Sequence, residues 1–272
     1  MSSLEYFLDQ RLVQGRAYFS RADAESALTL KETSLSAAIT RLIKKSKLAN
    51  PRHGFYLILR PEDQVSGAPD PSNWIAPLMM HQGIDYRISL LRAAAFHGSS
   101  HQAAMTFQVI VPVQLRELQL GLHRIQFIYQ TPQTFIPVNA PENIGQLKSP
   151  AGYSKIAGLE LTIFDCVRYF HHAGGISNAA QIVKDLGGKA DSRQLAAIAI
   201  HYENTSVRRL GFLLERYGHS RQSRSLEPLA KKAQNFVSLD PSVKPMFESF
   251  QATSEKNSKW KLMINDIVEV DS

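Results

Sequence analysis

The first sixty residues carry short apolar stripes separated by turn residues, a pattern that predicts three helices and a hairpin. Apolar residues at helical spacing predict the first helix over Leu4–Gln14. Ser20, with Asp23 three residues later, forms an acidic variant of the capping box and predicts the start of a second helix. A third helix is predicted to begin at Thr33 or Ser34, since both residue types are good caps.

The third predicted helix has one apolar and one polar face. Its apolar stripe repeats at i, i+3, i+4, i+7 and i+8 and consists of Leu35, Ala38, Ile39, Leu42 and Ile43. The opposite face is small and polar at the amino end and cationic at the carboxyl end. This suits a recognition helix, because short side chains can approach base edges while cations meet phosphates.

A turn-rich segment, Asn50–Gly54, and an apolar run, Phe55–Leu59, follow the third helix and predict a basic-tipped hairpin. Three helices and such a hairpin are typical of a winged helix-turn-helix. The sequence therefore predicts double-stranded DNA as a partner. The residues expected to contact it are Ser34, Ser36, Thr40, Arg41, Lys44, Lys45, Lys47, Arg52 and His53.

The charge distribution agrees with this interpretation. Residues 1–60 hold ten basic and five acidic residues, a net +5 of the chain's +7, so the remaining 212 residues are nearly neutral. Two alternatives stay open. Cations late in a helix also complement the helix dipole, and a winged helix can dock a protein instead of DNA.

Beyond the breaker-rich segment Gly67–Pro71, strands precede helices, which predicts an α+β fold. The predicted domains are a winged helix-turn-helix over residues 1–66 and a larger mixed α+β domain over 72–272, with a possible subdivision near 150. The predicted strands are Phe107–Val113, Arg124–Tyr129, Thr134–Val138 and the closing stretch WKLMINDIVEV. The predicted helices are Ile88–Phe96, Leu159–His171, Ala179–Leu186, Ser192–Tyr202 and Ser206–Tyr217.

Composition narrows the class of protein. Cys166 is the only cysteine, which excludes an intramolecular disulfide and a cysteine-rich zinc site. The charged start MSSLEYFLDQ does not resemble a signal peptide, and no apolar run approaches the ~20 residues that span a bilayer. We expect a cytoplasmic protein with no membrane partner and no cofactor.

Candidate catalytic groups are few. Asp165 lies in an apolar helix five residues after Glu160, so a metal-dependent nuclease is one alternative, but a structural hydrogen bond for Asp165 is favoured. His97 and His101 are four residues apart, but the intervening glycine and serines favour a loop over a metal site. No known catalytic motif is present, and we expect the protein not to be an enzyme.

A second basic cluster lies between residues 208 and 232, with seven basic and two acidic residues. Its arginines are Arg208, Arg209, Arg216, Arg221 and Arg224. Such a surface could contact flanking DNA, bind an RNA or dock an acidic protein, and a solvated basic face is equally compatible.

Five stretches, in order along nearly the whole chain, resemble the AbiEi family, the antitoxin and autorepressor of AbiE-type (type IV) toxin–antitoxin systems. They are PRHGFYLI, YRISLLRAAAFHGSSHQAAMTFQVIVP, GLELTIFDCVRY, SVRRLGFLLERYG and WKLMINDIVEVD. The resemblance implies an amino-terminal winged helix that binds repeats upstream of its operon. It also implies a carboxy-terminal domain that opposes a nucleotidyltransferase-like toxin.

One motif of that family is only partly present here. The family pattern often reads proline, glutamate, a basic residue, threonine, two leucines and aspartate. Glu160, Thr162 and Asp165 match it, whereas Leu159 and Leu161 replace the proline and the basic residue.

Overall fold

The computed structural model of the protein describes residues 3–99, 106–243, 255–266 and 268. Helices and three separate sheets occur together in it, so the predicted α+β class is confirmed. The α-helices are α1 (Leu4–Val13), α2 (Arg21–Ala27), α3 (Glu32–Lys44), α4 (Ile75–Gln82), α5 (Leu90–Phe96), α6 (Pro132–Val138), α7 (Leu159–Arg168), α8 (Ile176–Leu186), α9 (Ser192–Ala199), α10 (Asn204–Arg216) and α11 (Ser220–Ala230). The strands are β1 (Tyr18–Ser20), β2 (Leu48–Arg52), β3 (Phe55–Ile58), β4 (Arg87–Ile88), β5 (Thr106–Val111), β6 (Leu118–Leu120), β7 (His123–Tyr129), β8 (Ile144–Ser149), β9 (Gly152–Ala157), β10 (Val237–Ser238), β11 (Glu255–Asn257) and β12 (Leu262–Ile264).

The chain forms two compact units that interleave along the sequence. Unit 1 consists of Met1–Ile88, Ala104–Thr131 and Gln146–Ile156. Unit 2 consists of Ser89–Ala103, Pro132–Gly145 and Ala157–Ser272. The predicted division into residues 1–66 and 72–272 stays a prediction.

Unit 1 begins with a small module, here called the N-terminal module, that comprises α1, β1, α2, α3, β2 and β3. Its antiparallel sheet has the order β1-β3-β2, with Phe19 opposite Tyr56. The module has its own apolar core, to which every one of these elements contributes a buried side chain. The buried members are Leu4, Leu8, Phe19, Ala24, Leu28, Leu35, Ile39, Leu42, Leu48, Tyr56 and Ile58.

Helix starts in the module follow the sequence signals only in part. The capping box of α2 is confirmed: Ser20 accepts from the Asp23 amide, and Asp23 accepts from the Ser20 amide. The predicted cap of α3 is wrong, because Lys31 occupies the N-cap position without a side-chain hydrogen bond.

The apolar stripe of α3 is also narrower than predicted. Leu35, Ile39 and Leu42 are buried, but Ile43 is 38% exposed. At about 100° per residue, Ile43 falls at the edge of the stripe, so the neighbouring helices leave it uncovered.

The breaker-rich segment Gly67–Pro71 is a packed part of unit 1. Ala68 is fully buried, and the Trp74 indole donates to the Pro69 carbonyl oxygen at 2.9 Å. Gly67, at φ +77°, lies so close to Gly121 that a Cβ would come within 2.7 Å of the Gly121 Cα. Glycine is required there by this close approach as well as by the positive φ.

The largest sheet has six strands in the order β6-β7-β5-β4-β9-β8. Strands β5 and β7 confirm two of the predicted strands, and they pair in parallel with Val109 opposite Phe127. The predicted strand Thr134–Val138 is wrong, since those residues belong to α6. Phe135 and Val138 are buried three residues apart while Ile136 is 69% exposed, which is helical spacing.

Unit 2 is built mainly from α5 and α7 to α11. The predicted buried face of α7 is confirmed for Leu161, Phe164 and Val167, and Phe170 is buried in a short 3-10 helix that follows. The sequence did not predict α4 or α11. Neither α11 nor any other helix among the described residues is long and apolar enough to cross a bilayer.

A three-stranded sheet of order β10-β12-β11 lies at the C-terminal end of unit 2. The predicted closing strand over residues 260–270 is therefore shorter than expected, with β12 limited to Leu262–Ile264 and Trp260 in the preceding turn. Residues 267, 269 and 270 of that prediction lie outside the described part of the chain.

Candidate nucleic-acid interface

The outer face of α3 is exposed and cationic. Arg41, Lys44 and Lys45 are exposed and form no ion pair with any residue that the structure describes. Thr40 is exposed as well, and its hydroxyl donates to the Ser36 carbonyl oxygen at 2.9 Å. This face therefore offers free positive charge to an anionic partner.

Ser34 and Ser36 do not share one face of α3. Positions i and i+2 of a helix are about 200° apart around its axis, so the two serines lie on opposite flanks. The ridge between these flanks, pointing away from the core, is formed by Thr33, Ala37, Thr40 and Lys44, all of which are exposed. Sequence reasoning did not assign a DNA contact to Thr33 or Ala37.

The Ser34 flank borders a groove of about 510 Å³ between α3 and the start of α1. Arg41 and Lys45 line it from α3, whereas Ser3 and Glu5 line it from the N-terminal end of α1. Glu5 also forms a 3.5 Å ion pair with Lys47, in which both side chains are more than half exposed. An ion pair so exposed is weak, so Lys47 stays available to another anion.

The Ser36 flank is held by Arg21, the first residue of α2. The Arg21 Nη2 donates to the Ser36 Oγ at 3.0 Å, and that hydroxyl donates in turn to the Glu32 carbonyl oxygen. Arg21 also contacts the Glu25 and Glu32 carboxylates, and the hydrogen bond to Glu25 raises the pKa of its guanidinium. The i, i+4 spacing of Arg21 and Glu25 was a usable signal in the sequence, whereas the contacts to α3 were not.

The hairpin of β2 and β3 turns tightly through His53 and Gly54, whose φ is +71°. His53 is exposed at the tip as predicted, and the His81 Nε2 lies 3.1 Å from its carbonyl oxygen. Since a carbonyl can only accept, His81 donates there and fastens the tip.

Arg52, predicted as a DNA contact, is engaged inside unit 1. Its Nη2 donates to the Arg116 carbonyl oxygen at 2.6 Å, and its guanidinium lies 5.8 Å from the centre of the Phe127 ring. Partial burial lowers the pKa of Arg52. These contacts make Arg52 an anchor for the hairpin.

Two of the five arginines predicted for the second basic surface, Arg208 and Arg209, are not exposed. Arg208 is only 4% exposed and donates to the Asn235 and Lys261 carbonyl oxygens. Arg209 is half-buried and donates to the Leu239 and Ser238 carbonyl oxygens. Their guanidiniums hold the chain around the C-terminal sheet, so the prediction that they lie on a binding surface is wrong.

The other three predicted arginines, Arg216, Arg221 and Arg224, are exposed. The two acidic residues of this region are paired elsewhere, because Lys259 bridges Glu215 and Glu227 at 2.8 Å each. A smaller basic surface therefore remains on α10 and α11.

The residues considered for catalysis take part in internal hydrogen bonds. Asp165 is fully buried and accepts from the Ser89 and Tyr202 hydroxyls at 2.7 Å each. Glu160 accepts from the Asp191 amide, and the Thr162 hydroxyl contacts the Gly158 carbonyl oxygen at 2.8 Å. All three residues that match the family motif thus contribute hydrogen bonds inside unit 2.

The histidine pair considered for a metal site is not fully described, because His101 lies outside the described residues. His97 Nε2 lies 2.8 Å from the Ala157 carbonyl oxygen, to which it donates. In the part of the chain that the structure covers, no group of three or more His, Cys, Asp or Glu side chains could hold a metal ion.

Comparisons with known proteins find one family match to part of the chain and a similar fold over nearly all of it. Residues 87–216 match the family model described as the AbiEi antitoxin C-terminal domain. A solved structure, the RV2827C protein from Mycobacterium tuberculosis, is similar with a TM-score of 0.61 at 14% identity, and the match covers 94% of this chain and 89% of that one. At such low identity the likeness shows the fold alone. No curated protein sequence matches the chain.

Proposed function

Because the chain belongs to the AbiEi antitoxin family through residues 87–216, we propose that it acts as the antitoxin of a toxin–antitoxin pair and represses its own operon. The family match does not include the N-terminal module, so the DNA-binding part of this proposal rests on the module's own geometry.

The module supports a winged helix-turn-helix by its element order and pairing. A helix, a strand, two helices and a two-stranded hairpin follow one another, and the first strand joins the hairpin to make the sheet β1-β3-β2. In such folds the second helix of the helix-turn-helix enters the major groove, and here that helix is α3.

The observation that carries the proposal is the unpaired cationic face of α3. Arg41, Lys44 and Lys45 project from one short helix with no carboxylate partner among the described residues. We propose that Thr40 and Arg41 reach base edges, and that Lys44, Lys45 and Lys47 neutralise phosphates. Ser34 and Ser36 flank this contact, and His53 approaches the backbone from the hairpin tip.

The proposed partners are operator DNA upstream of the protein's own coding sequence and a nucleotidyltransferase-like toxin, in the cytoplasm. Direct contact with the toxin, modification of the toxin and competition for its target are alternative mechanisms of neutralisation. The exposed arginines of α10 and α11 are a candidate surface for any of them.

An electrophoretic mobility shift with the upstream DNA of its own operon tests the proposal. We expect a specific complex that competitor DNA of unrelated sequence does not displace at equal concentration. Arg41→Ala should lower operator affinity by ~1–3 kcal/mol if Arg41 binds a guanine in bidentate fashion. Lys44→Gln should weaken binding to all sequences and lower the salt slope by about one unit.

The matched control is Lys148→Gln, which removes the same charge from an exposed position of β8. It should leave both the affinity and the salt slope unchanged. A wild-type protein that shifts no duplex, even at low salt, would refute the repressor proposal and favour a module that docks a protein.

A further inference from the structure

The Arg21 side chain contacts three residues of the N-terminal module. Its Nε lies 2.7 Å from Glu25 Oε1, and its Nη2 lies 3.3 Å from Glu32 Oε1 and 3.0 Å from Ser36 Oγ. One guanidinium thus joins α2 to the first turns of α3.

Arg21 also lies beside the hairpin. Its backbone amide donates to the Gly54 carbonyl oxygen at 2.8 Å, and Gly54 follows the exposed His53 at the hairpin tip. The start of α2, one flank of α3 and the hairpin tip therefore converge at this residue. These are the three parts of a winged helix-turn-helix that approach the phosphate backbone beside the major groove.

The charges at this corner differ from those on the rest of α3. The side chains of Glu25 and Glu32 are 47% and 81% exposed, whereas that of Arg21 is 27% exposed. Two exposed carboxylates would repel a phosphate unless something offsets them. Exposed ion pairs hold their partners weakly, so a phosphate oxygen can replace a carboxylate oxygen at little cost.

We propose that Arg21 is a phosphate-binding residue. In the free protein its guanidinium is paired with the Glu25 and Glu32 carboxylates, and it exchanges them for a backbone phosphate when the duplex binds. The proposal rests on the proposed function and adds a way in which the affinity for DNA is limited. The two glutamates lower the affinity for any duplex, so they set how strongly the remaining contacts must bind before the complex forms.

The experiment measures the affinity of the full-length protein for two duplexes at several salt concentrations. One duplex carries the upstream DNA of its own operon, and the other is a random sequence of equal length. Arg21→Gln should lower the salt slope by about one unit on both duplexes. Arg21→Lys keeps the charge and should keep the slope.

Glu25→Gln should raise the affinity for both duplexes several-fold, and most of that gain should disappear in the Arg21→Gln background. The matched control is Glu117→Gln, which removes an equivalent carboxylate from the exposed bidentate pair with Arg124. This control frees an arginine outside the α2–α3 corner and should not change the affinity. Thermal unfolding of each variant shows whether it is folded before binding is measured.

Two outcomes are decisive in different ways. If wild-type protein binds the duplex but Arg21→Gln and Arg21→Lys both retain its salt slope, and Glu25→Gln brings no gain, Arg21 is only a clamp between helices and this inference fails. If wild-type protein binds neither duplex at any salt concentration, the proposed function itself fails.

Discussion

The indole ring of Trp260 lies directly against the backbone of Gly211, on α10. A Cβ at residue 211 would come within 2.1 Å of the indole Cζ3, and Trp260 is fully buried with its Nε1 bonded to Glu215. Any side chain at this position must displace the ring. Glycine in the middle of a helix is otherwise unfavourable, so its presence here is explained by the space that the indole needs.

Gly211→Ala should therefore destabilise the protein by about 1–3 kcal/mol, despite the better helix propensity of alanine, because the ring has to move. Chemical denaturation followed by tryptophan fluorescence measures the change. In a double-mutant cycle, Trp260→Leu should relieve part of the cost of Gly211→Ala. Independent, additive effects of the two substitutions would show that the ring and the glycine do not compete for space.

Arg208→Met should destabilise unit 2 by about 2–3 kcal/mol, because it leaves the Asn235 and Lys261 carbonyl oxygens without their charged donor. Arg221→Met, at an exposed position of α11, removes the same charge and should change the free energy of unfolding by less than about 0.5 kcal/mol. Urea denaturation compares the two. Equal effects would contradict the anchoring role of Arg208.

The hydroxyls bonded to Asp165 should matter individually. Tyr202→Phe should cost about 1 kcal/mol of stability by removing one hydrogen bond to the buried carboxylate. Tyr153→Phe removes a hydroxyl from a residue that is 61% exposed and serves as the control. Thermal unfolding of both variants tests the difference, and an unchanged midpoint for Tyr202→Phe would refute it.

Cys166 should be unreactive in the folded protein. Burial, and secondarily the neighbouring Asp165, raise the pKa of its thiol well above the usual value, so the thiolate that reacts is scarce at neutral pH. Labelling by a thiol reagent should be at least about a hundredfold slower in the folded than in the guanidinium-unfolded protein. Comparable rates would show that the thiol is accessible.

The same shift links Cys166 to stability at alkaline pH. The folded state keeps the thiol proton that the unfolded chain loses above about pH 8.5. The free energy of unfolding therefore contains the full contribution of Cys166 below that pH, and this contribution decreases as the pH rises above it. The slope for one proton is about 1.4 kcal/mol per pH unit. Cys166→Ala should remove this part of the pH dependence in denaturation curves measured between pH 8 and 10.

The sequence predicted elements well where local signals are strong. The Ser20 capping box and the apolar stripe of Leu35, Ile39 and Leu42 are local patterns, and both appear in the structure. The apolar run at Thr134–Val138 was misassigned because a short run does not distinguish a strand from a buried helical turn. Strand β1 is only three residues long and is defined by its pairing with β3, which no local pattern reveals.

The predicted binding residues illustrate the same limit. Exposure of Arg41 and Lys44 follows from their positions on an amphipathic helix, so the sequence could predict it. The contacts of Arg52 and Arg208 could not be predicted, because their acceptors are backbone carbonyls 64 and 53 positions away: Arg52 bonds to Arg116, and Arg208 bonds to Lys261. Any residue type can supply a carbonyl, so such partners leave no signature in the sequence.

The interleaving of the two units governs how the protein can be made and divided. Unit 1 is not complete until Ile156 has been synthesised, whereas the core of the N-terminal module needs only residues up to Ile58. All residues of the module core are therefore present on a nascent chain before the last strands of unit 1, which are translated about a hundred codons later. For the same reason, no single cut in the chain separates unit 1 from unit 2. A fragment that starts at Arg87, where the family match begins, contains strands of unit 1 but lacks the N-terminal part of that unit.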